Sequence, residues 1–329
     1  MFNLVAIGDP IIDTHVQLSD DAAECRETAE HRTHLCFDYG AKIPIIDSFQ
    51  CLGGNAPNVA AGAAKLGLKS GLVATVGDDS NGHMSVEALK KSNVNTDCVT
   101  FDTKNKTRYS IVLNYKAERT ILSYSEKKNY VWPKHFPQTE WIYYTGLSAG
   151  FESVQKKLIQ HLKQHPTVRL AINPGSYMLK YNLDDLRDMI PRTDLLIVNK
   201  EEAEQILGRT EKQQKNMATI IHKLLAKGAH EVAITDGVRG AWAGNESGSW
   251  HMDPYPVKVI AKTGAGDAFS SAYISARHFG QNIAHALLWG TANASSVVMA
   301  HGPQAGMMNL KGVKKMIKKF PKIEPFISA

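Results

Sequence analysis

The residues in this chain best equipped for chemistry are Gly264-Ala265-Gly266-Asp267, two glycines around an alanine, closed by an acid and followed by small and apolar residues at helical spacing. Such a stretch reads as a loop feeding a helix. The unpaired N–H groups of a first helical turn, with the helix dipole behind them, attract an anion. Gly264 and Gly266 let a bulky phosphate approach main chain without a Cβ in the way, and Asp267 stands where a hydroxyl could present its proton. An anion cradle beside a carboxylate is the equipment of a phosphotransferase. The same tetrapeptide also fits a plain helix cap, with Asp267 accepting from backbone amides.

A second glycine-rich stretch, Leu52-Gly53-Gly54-Asn55-Ala56-Pro57-Asn58, opens another helix, this time with amides in place of acids. Asn55 and Asn58 offer the donors and acceptors that suit sugar hydroxyls. Together the two stretches resemble the signature motifs of the ribokinase-like carbohydrate kinases, the PfkB family, which move the γ-phosphate of ATP to a sugar or nucleoside hydroxyl. The resemblance runs along almost the whole chain. It includes Gly8-Asp9-Pro10-Ile11-Ile12-Asp13, Gly77-Asp78-Asp79-Ser80-Asn81-Gly82, Asn173-Pro174-Gly175, Asn199-Lys200-Glu201-Glu202 and Thr235-Asp236-Gly237-Val238-Arg239-Gly240.

The resemblance implies roles. Asp267 would be the general base, and the amides of Ala265, Gly266 and Asp267, in the turn begun by Gly264, would form the anion hole. Asp13, Gly53, Gly54, Asn55 and Asn58 would bind the acceptor. Asn199, Glu202, Thr235, Gly237, Gly240 and Asn293 would serve the nucleotide, Asn199 and Glu202 also positioning magnesium through water. ATP and Mg2+ are thus the expected cofactors. Two departures stand out. Ala261, followed by Lys262, occupies the position where the family usually has an aspartate that helps bind a monovalent cation, so potassium activation does not carry over. The acid often found after the central strand is replaced by Gly146-Leu147-Ser148-Ala149-Gly150, so the acceptor does not transfer from any one branch. A sugar is expected, with a nucleoside as the alternative; Phe37, Tyr39, Phe49, Tyr109, Tyr115 and Tyr124 could stack a base or simply pack.

These residues need a scaffold, and hydrophobic periodicity supplies one. Leu4–Gly8 is a short apolar run ending in turn chemistry, with Asp13 just beyond it. Apolar strands at 71–76, 141–144, 169–173, 195–199 and 231–235 alternate with helical stretches at 153–164, 201–207 and 217–227. The expected fold is therefore α/β, three layers deep, a mostly parallel central sheet covered by helices on both faces. Ligands then sit beyond the carboxyl ends of the strands, where Asp13, Asn173, Asn199 and Thr235 gather. Alternation near 42–46 and a hairpin around Lys116-Ala117-Glu118 mark half-buried strands, in the family a β-sheet lid and often the dimer contact. The expected organisation is a large nucleotide- and substrate-binding domain from 1–13, 53–104 and 127–329, a discontinuous lid from 14–52 and 105–126, and a homodimer formed through that lid. Within the first lid segment, Cys25, His31, His34 and Cys36 match no standard zinc spacing, and a helical insertion with incidental histidines is expected.

Composition narrows the class. With 43% hydrophobic and 21% charged residues in 329, the chain can bury a sizeable core. The formal charge of +6 is matched by six lysines, Lys311, Lys314, Lys315, Lys318, Lys319 and Lys322, in a terminal segment without an acid, so the remainder is balanced and nucleic acid is not expected as a partner. Four cysteines make no disulfide scaffold, no apolar run approaches the roughly 20 residues of a membrane span, and a cytoplasmic enzyme is expected. Two other classes compete. Gly146-Leu147-Ser148-Ala149-Gly150 matches the nucleophile elbow of α/β-hydrolases, with Asp236 or Asp267 and His301 in the required order. A non-catalytic sugar- or nucleotide-binding protein would use the same glycine motifs, though it would have no need of Asp267.

Overall fold

The computed structural model describes residues 1–28, 33–116, 118–208 and 216–328. The chain opens with β1 (Phe2–Ile7), then β2 (Ile11–Leu18), a short hairpin of β3 (Glu24–Glu27) and β4 (Thr33–Cys36), and β5 (Ile45–Gly53), which leads into α1 (Asn55–Lys65). Next come β6 (Ser70–Gly77), α2 (Ser80–Lys91), β7 (Val94–Asp102), β8 (Arg108–Tyr115), β9 (Glu118–Tyr124), β10 (Thr139–Thr145) and α3 (Glu152–Gln164). After β11 (Arg169–Asn173) lie α4 (Ser176–Tyr181), α5 (Leu183–Met189), β12 (Leu195–Asn199), α6 (Lys200–Ile206), α7 (Met217–Leu225) and β13 (Val232–Thr235). The chain finishes with β14 (Ala241–Asn245), β15 (Gly248–Met252), α8 (Ala265–His278), α9 (Ile283–Val297), α10 (Leu310–Lys319) and β16 (Phe326–Ile327).

Ten strands form one sheet in the order β16-β15-β14-β13-β12-β11-β10-β1-β6-β7. From β13 to β7 the pairs are parallel, and β14, β15 and β16 add antiparallel strands at one edge. The inner parallel strands are apolar on both faces because helices cover both, whereas β7 at the edge, VNTDCVTFD, is mostly polar and only half-buried. Thus Leu4 and Ala6 of β1, with Trp141 and Tyr143 of β10, pack into a core under α1, α8, α9 and α10. Val5 and Ile7, with Ile142 and Tyr144, pack into the opposite core under α3 to α7. The α/β architecture read from the sequence is the one observed. Among the described residues no helix is long and apolar enough to cross a membrane.

A separate four-stranded sheet runs β5-β2-β8-β9. Directly paired residues share a face, so its rows can be read across the strands. Cys51, Asp13, Ser110 and Ser123 make one row, and Phe49, His15, Val112 and Ile121 make the next. Asp13 therefore lies inside β2 of this second sheet, not at the tip of a large-sheet strand where the sequence placed it. The expected helical insertion is also corrected: Glu24–Glu27 and Thr33–Cys36 pair as antiparallel strands. Cys25 is opposite Leu35 whereas His34 is opposite Arg26, which puts Cys25 on the face away from His34 and Cys36. His31 falls outside the described residues, and among those described no cluster of His, Cys, Asp or Glu is arranged to hold a metal ion.

Candidate active site

Two helix starts meet at the site. Helices α1 and α8 pack so closely that a Cβ on Gly62 would collide with Ser271 Oγ. The small side chains Ala60, Ala61, Ala63, Ala268 and Ala272 permit that approach. It brings Asn58, in the first turn of α1, within 2.8 Å of Asp267, in the first turn of α8, with Asn58 Nδ2 donating to Asp267 Oδ2. Gly264 caps α8 in the left-handed region at φ 82°, and a Cβ there would come within 2.6 Å of Pro303. At Gly266 the space where a Cβ would stand is open. The amides of Ala265, Gly266 and Asp267 thus begin a helix with open space beside Gly266, an arrangement that suits an anion.

Asp13, Gly54, Asn55, Asn58, Glu202, Gly264 and Asp267 share the wall of one cavity of about 390 Å³. Most of the residues singled out from sequence as acceptor-binding are therefore together. Gly53 makes room: a Cβ there would collide with Asp13 Oδ2. Asn55 Nδ2 donates to Asn173 Oδ1 at 2.9 Å, and Asn173 Nδ2 donates to the carbonyl of Ile197 at 2.8 Å, so a relay of amides orders the strand tips. Asn199 caps α6 in a reciprocal box, its Oδ1 accepting from the Glu202 amide at 2.8 Å and its own amide donating to Glu202 Oε2 at 2.9 Å. Thr235 pairs with Asn199 across the sheet, and Gly237 and Gly240 lie in the turn beyond it. Asn293 is buried, donating to the Ala268 carbonyl at 2.9 Å and accepting from the Met308 amide at 2.9 Å. Its side chain braces α8 from behind.

The cavity's acids are unusual. Burial pushes the Asp267 carboxyl up to about 6, with the Asn58 hydrogen bond opposing and the charge of Asp13 adding to the rise. Glu202 is pushed up to about 7 by burial, against the Asn199 amide and with Glu201 and Asp267 contributing. Asp13 is also raised by burial, Ser110 and Arg108 opposing. Three neighbouring carboxyls that hold their protons too tightly form a place suited to incoming cations or hydroxyl protons.

Sequence reasoning missed two groups. Gln304 Nε2 donates to Asn58 Oδ1 at 2.9 Å and so fixes which way Asn58 presents its amine to Asp267. No sequence pattern announces it. The other group surrounds Asp9, whose Oδ2 accepts from Tyr130 Oη at 2.6 Å, from the Ser148 amide at 3.1 Å, from Ser148 Oγ at 2.9 Å and from Arg108 at 3.4 Å. Lys128, only 2% exposed, sits 3.8 Å from Asp9 Oδ1 and donates to the Thr75 carbonyl at 3.0 Å. Period-2 alternation along β8 places Arg108 on the face of Ser110, a signal that was available. The network also corrects the hydrolase alternative: buried Ser148 Oγ is bonded to a carboxylate and to Ser125, where a nucleophile would need an imidazole.

Comparison with known proteins agrees with this geometry. The model of the pfkB family carbohydrate kinases matches residues 48–309. A 5-dehydro-2-deoxygluconokinase of Listeria innocua is 27% identical over 288 residues, covering 81% of this chain and 86% of its own. Among solved structures, Arabidopsis thaliana ribokinase with ribose and ATP superposes with a TM-score of 0.77 at 20% identity, covering 96% of this chain and 99% of its own. An Escherichia coli ribokinase II candidate with ATP and Mg2+ gives 0.77 at 18% identity, covering 97% and 100%. With most of its length under the family model and the fold matching end to end, this chain belongs to the pfkB family of carbohydrate kinases, phosphotransferases that use an alcohol as acceptor.

Proposed function

We propose that the protein transfers the γ-phosphate of ATP to a hydroxyl of a sugar, with Asp267 as general base. The observation that carries this is the placement of Asp267. It stands in the first turn of α8, beside three backbone amides, with one oxygen held by Asn58 and its carboxyl pushed up to about 6. A base of that strength is largely ionised at neutral pH yet still takes a proton readily. As the acceptor oxygen bonds to the γ-phosphorus, its proton passes to Asp267, the bond to the ADP oxygen breaks, and the amides of Ala265, Gly266 and Asp267 stabilise the charge on the phosphoryl oxygens. Asp13 and Asn55 orient the acceptor. Thr235, Gly237 and Gly240 receive the nucleotide phosphates, and Asn293 holds α8 in register behind them.

Magnesium fits the residues present. Glu202, raised to about 7 by burial and by neighbouring acids, has reason to favour a cation, and with Asn199 it makes an oxygen donor set that a hydrated Mg2+ would accept. When bound, the ion would neutralise charge on the phosphates. The E. coli and A. thaliana structures hold ATP, and the names of the relatives favour a sugar-class acceptor. In this reading the body is 1–10, 54–104 and 127–329, the expected boundaries at 13 and 53 moving because Ile11–Asp13 and Gly53 belong to β2 and β5 of the small sheet. Segments 11–53 and 105–126 lie over the cleft as a lid that keeps water from the transferred group. The lid carries exposed Ile46 and Leu122, 65% and 53% accessible, and is the surface through which two copies would pair.

A coupled ADP-release assay tests the reading, across ribose, fructose, fructose phosphates, 5-dehydro-2-deoxygluconate, adenosine, inosine and cytidine. Wild type should release ADP only with an acceptor, and Asp267→Asn should lose at least about 100-fold in kcat while keeping its affinity for ATP. Near-normal turnover in that variant would overturn the assignment.

A further inference from the structure

The six lysines that carry the chain's net charge stand outside the site. Lys311, Lys314, Lys315, Lys318 and Lys319 lie on α10, and Lys322 follows it. Val313 and Met316 are buried beneath that helix, and Leu310 and Ile317 pack against the same core, so all six lysines are left on its exposed side. Lys319 lies over the Phe320 ring, 5.2 Å from its centroid. Among the described residues none of the six forms an ion pair.

The stability of α10 does not call for this arrangement. Lysines three and four residues apart, such as Lys311 with Lys314 and Lys315, repel one another. Lys311 also sits in the first turn, which holds no acid and where the helix dipole disfavours a cation. Without these six, the 38 Lys and Arg fall to 32, equal to the 32 acids, so the positive field of the molecule is concentrated on this face. A row of like charges that the protein leaves unanswered attracts an anion from outside.

Three features choose among anions. Every cation in the row is lysine, a point charge suited to diffuse negative charge, whereas the planar fork of arginine is what recognises individual phosphates and bases best. The helix is fixed to the core by its apolar side and holds Lys311 to Lys318 along about 10 Å of straight axis. Ile327, 78% exposed, pairs with Trp250, whose side chain packs against the core under α10, so both stand on the α10 side of the sheet. An exposed isoleucine gains nothing from a phosphate backbone, but it gains from the apolar boundary beneath lipid headgroups.

We infer that the α10 face docks the protein onto an anionic phospholipid surface, with the lysines over the headgroup phosphates and Ile327 at the acyl boundary. The association is peripheral, because the apolar side of α10 stays in the core. No residue of α10 lines the acceptor cavity, so the cleft remains open to substrates while the protein is docked.

Co-sedimentation of the full-length protein with vesicles tests this. At about 0.1 M NaCl, vesicles with about 30% phosphatidylglycerol in phosphatidylcholine should bind at least about tenfold more tightly than phosphatidylcholine alone, and about 0.5 M NaCl should remove most of that difference. The combined Lys311→Gln, Lys314→Gln, Lys315→Gln and Lys318→Gln variant should lose about tenfold or more in binding, with ADP release in solution unchanged. The corresponding four Lys→Arg changes should keep the binding, which separates lost charge from a damaged helix. Ile327→Ser should weaken it by about threefold. Equal binding to charged and neutral vesicles, full binding by the Gln variant, indifference to Ile327→Ser, or tighter binding of a DNA duplex of about 20 base pairs than of the anionic vesicles would each overturn the inference.

Discussion

Asp9 and Asp267 are both carboxylates in the wall of one cavity, and the fold treats them in opposite ways. Around Asp9 the protein supplies its own partners: a tyrosine, a serine and an arginine converge on Oδ2, and a buried lysine stands 3.8 Å from Oδ1. Around Asp267 it supplies burial first, then the charge of Asp13, and a neutral amide donor from Asn58 in opposition, so that its carboxyl is pushed up to about 6. A carboxylate answered by the protein's own cations is scaffold. One that burial leaves in want of a proton or a cation is set up for a ligand to answer, and the same residue type reads as structure or chemistry according to which neighbours the strands bring.

The sharpest way to break that contrast is to remove each acid. Asp267→Ala should lower kcat by about 10²–10⁴-fold and leave the fold intact. Asp9→Ala should strand Arg108 and Lys128 beside a lost partner and cost about 3–5 kcal/mol, read as a shift in the urea unfolding midpoint. If Asp9→Ala unfolds no more easily than wild type, or Asp267→Ala turns over normally, the two acids do not differ as described.

pH separates them next. Asp267 and Glu202 have folded pKa values of about 6 and about 7, above the ordinary 3.8 and 4.5. An acid that binds its proton more tightly when folded favours folding while protonated. Its contribution is therefore greatest below about pH 4, falls as pH rises through the window up to about 6 for Asp267 and about 7 for Glu202, and is flat beyond. Asp267→Asn should accordingly stabilise the ligand-free protein relative to wild type by an amount that grows between pH 4 and 6 to as much as about 3 kcal/mol, two pKa units at 1.36 each. Over the same window kcat/KM of wild type should rise with pH as the base ionises. A stability difference that shrinks with rising pH would contradict the sign.

Much of this was legible beforehand, for identifiable reasons. Parallel strands buried on both faces are written as short apolar runs, and glycine beside Asp267 or Asn55 marks a helix start, so the fold and the two helix starts that meet at the cavity were readable. Asp13 lines the cavity beside Asp267 but on another element than the sequence suggests, because a single polar residue after a strand does not reveal that the chain has already entered a second sheet. The strands Glu24–Glu27 and Thr33–Cys36 carry no period-2 signal because their polar residues alternate poorly and most are exposed, so burial does not sort their two faces. Gln304 and Lys128 stayed invisible since their roles depend on partners 246 residues away, as for Asn58, and 53 away, as for Thr75.

A smaller effect sharpens the comparison at Asn58. Among the described residues its amine is the side-chain donor that lowers the Asp267 pKa against burial and against Asp13. Asn58→Ala should therefore move the acid-limb inflection of kcat/KM above about 6. Gln304→Ala, which only frees Asn58 to turn, should move it in the same direction by less. An inflection that falls in either variant would show that Asn58 does not tune the base.

The smallest expected effect concerns which cation answers the acids. At position 261 a methyl replaces the acid expected of a monovalent-cation site, and both Ile260 and Ala261 direct their amides at the Val298 carbonyl, at 2.7 and 3.2 Å, which occupies an oxygen that could otherwise turn to an ion. The adjacent Lys262 carries a fixed positive charge on the same segment, paired across the cleft with Glu118. Both features reduce what potassium could add, whereas Glu202, raised to about 7, keeps its demand for a cation. Replacing potassium by sodium or choline at constant ionic strength should change kcat by less than about twofold, while chelating magnesium should abolish turnover. A tenfold or greater loss on removing potassium would mean that backbone oxygens alone build a monovalent site here and that the Asp267 end of the cavity is answered by two kinds of ion rather than one.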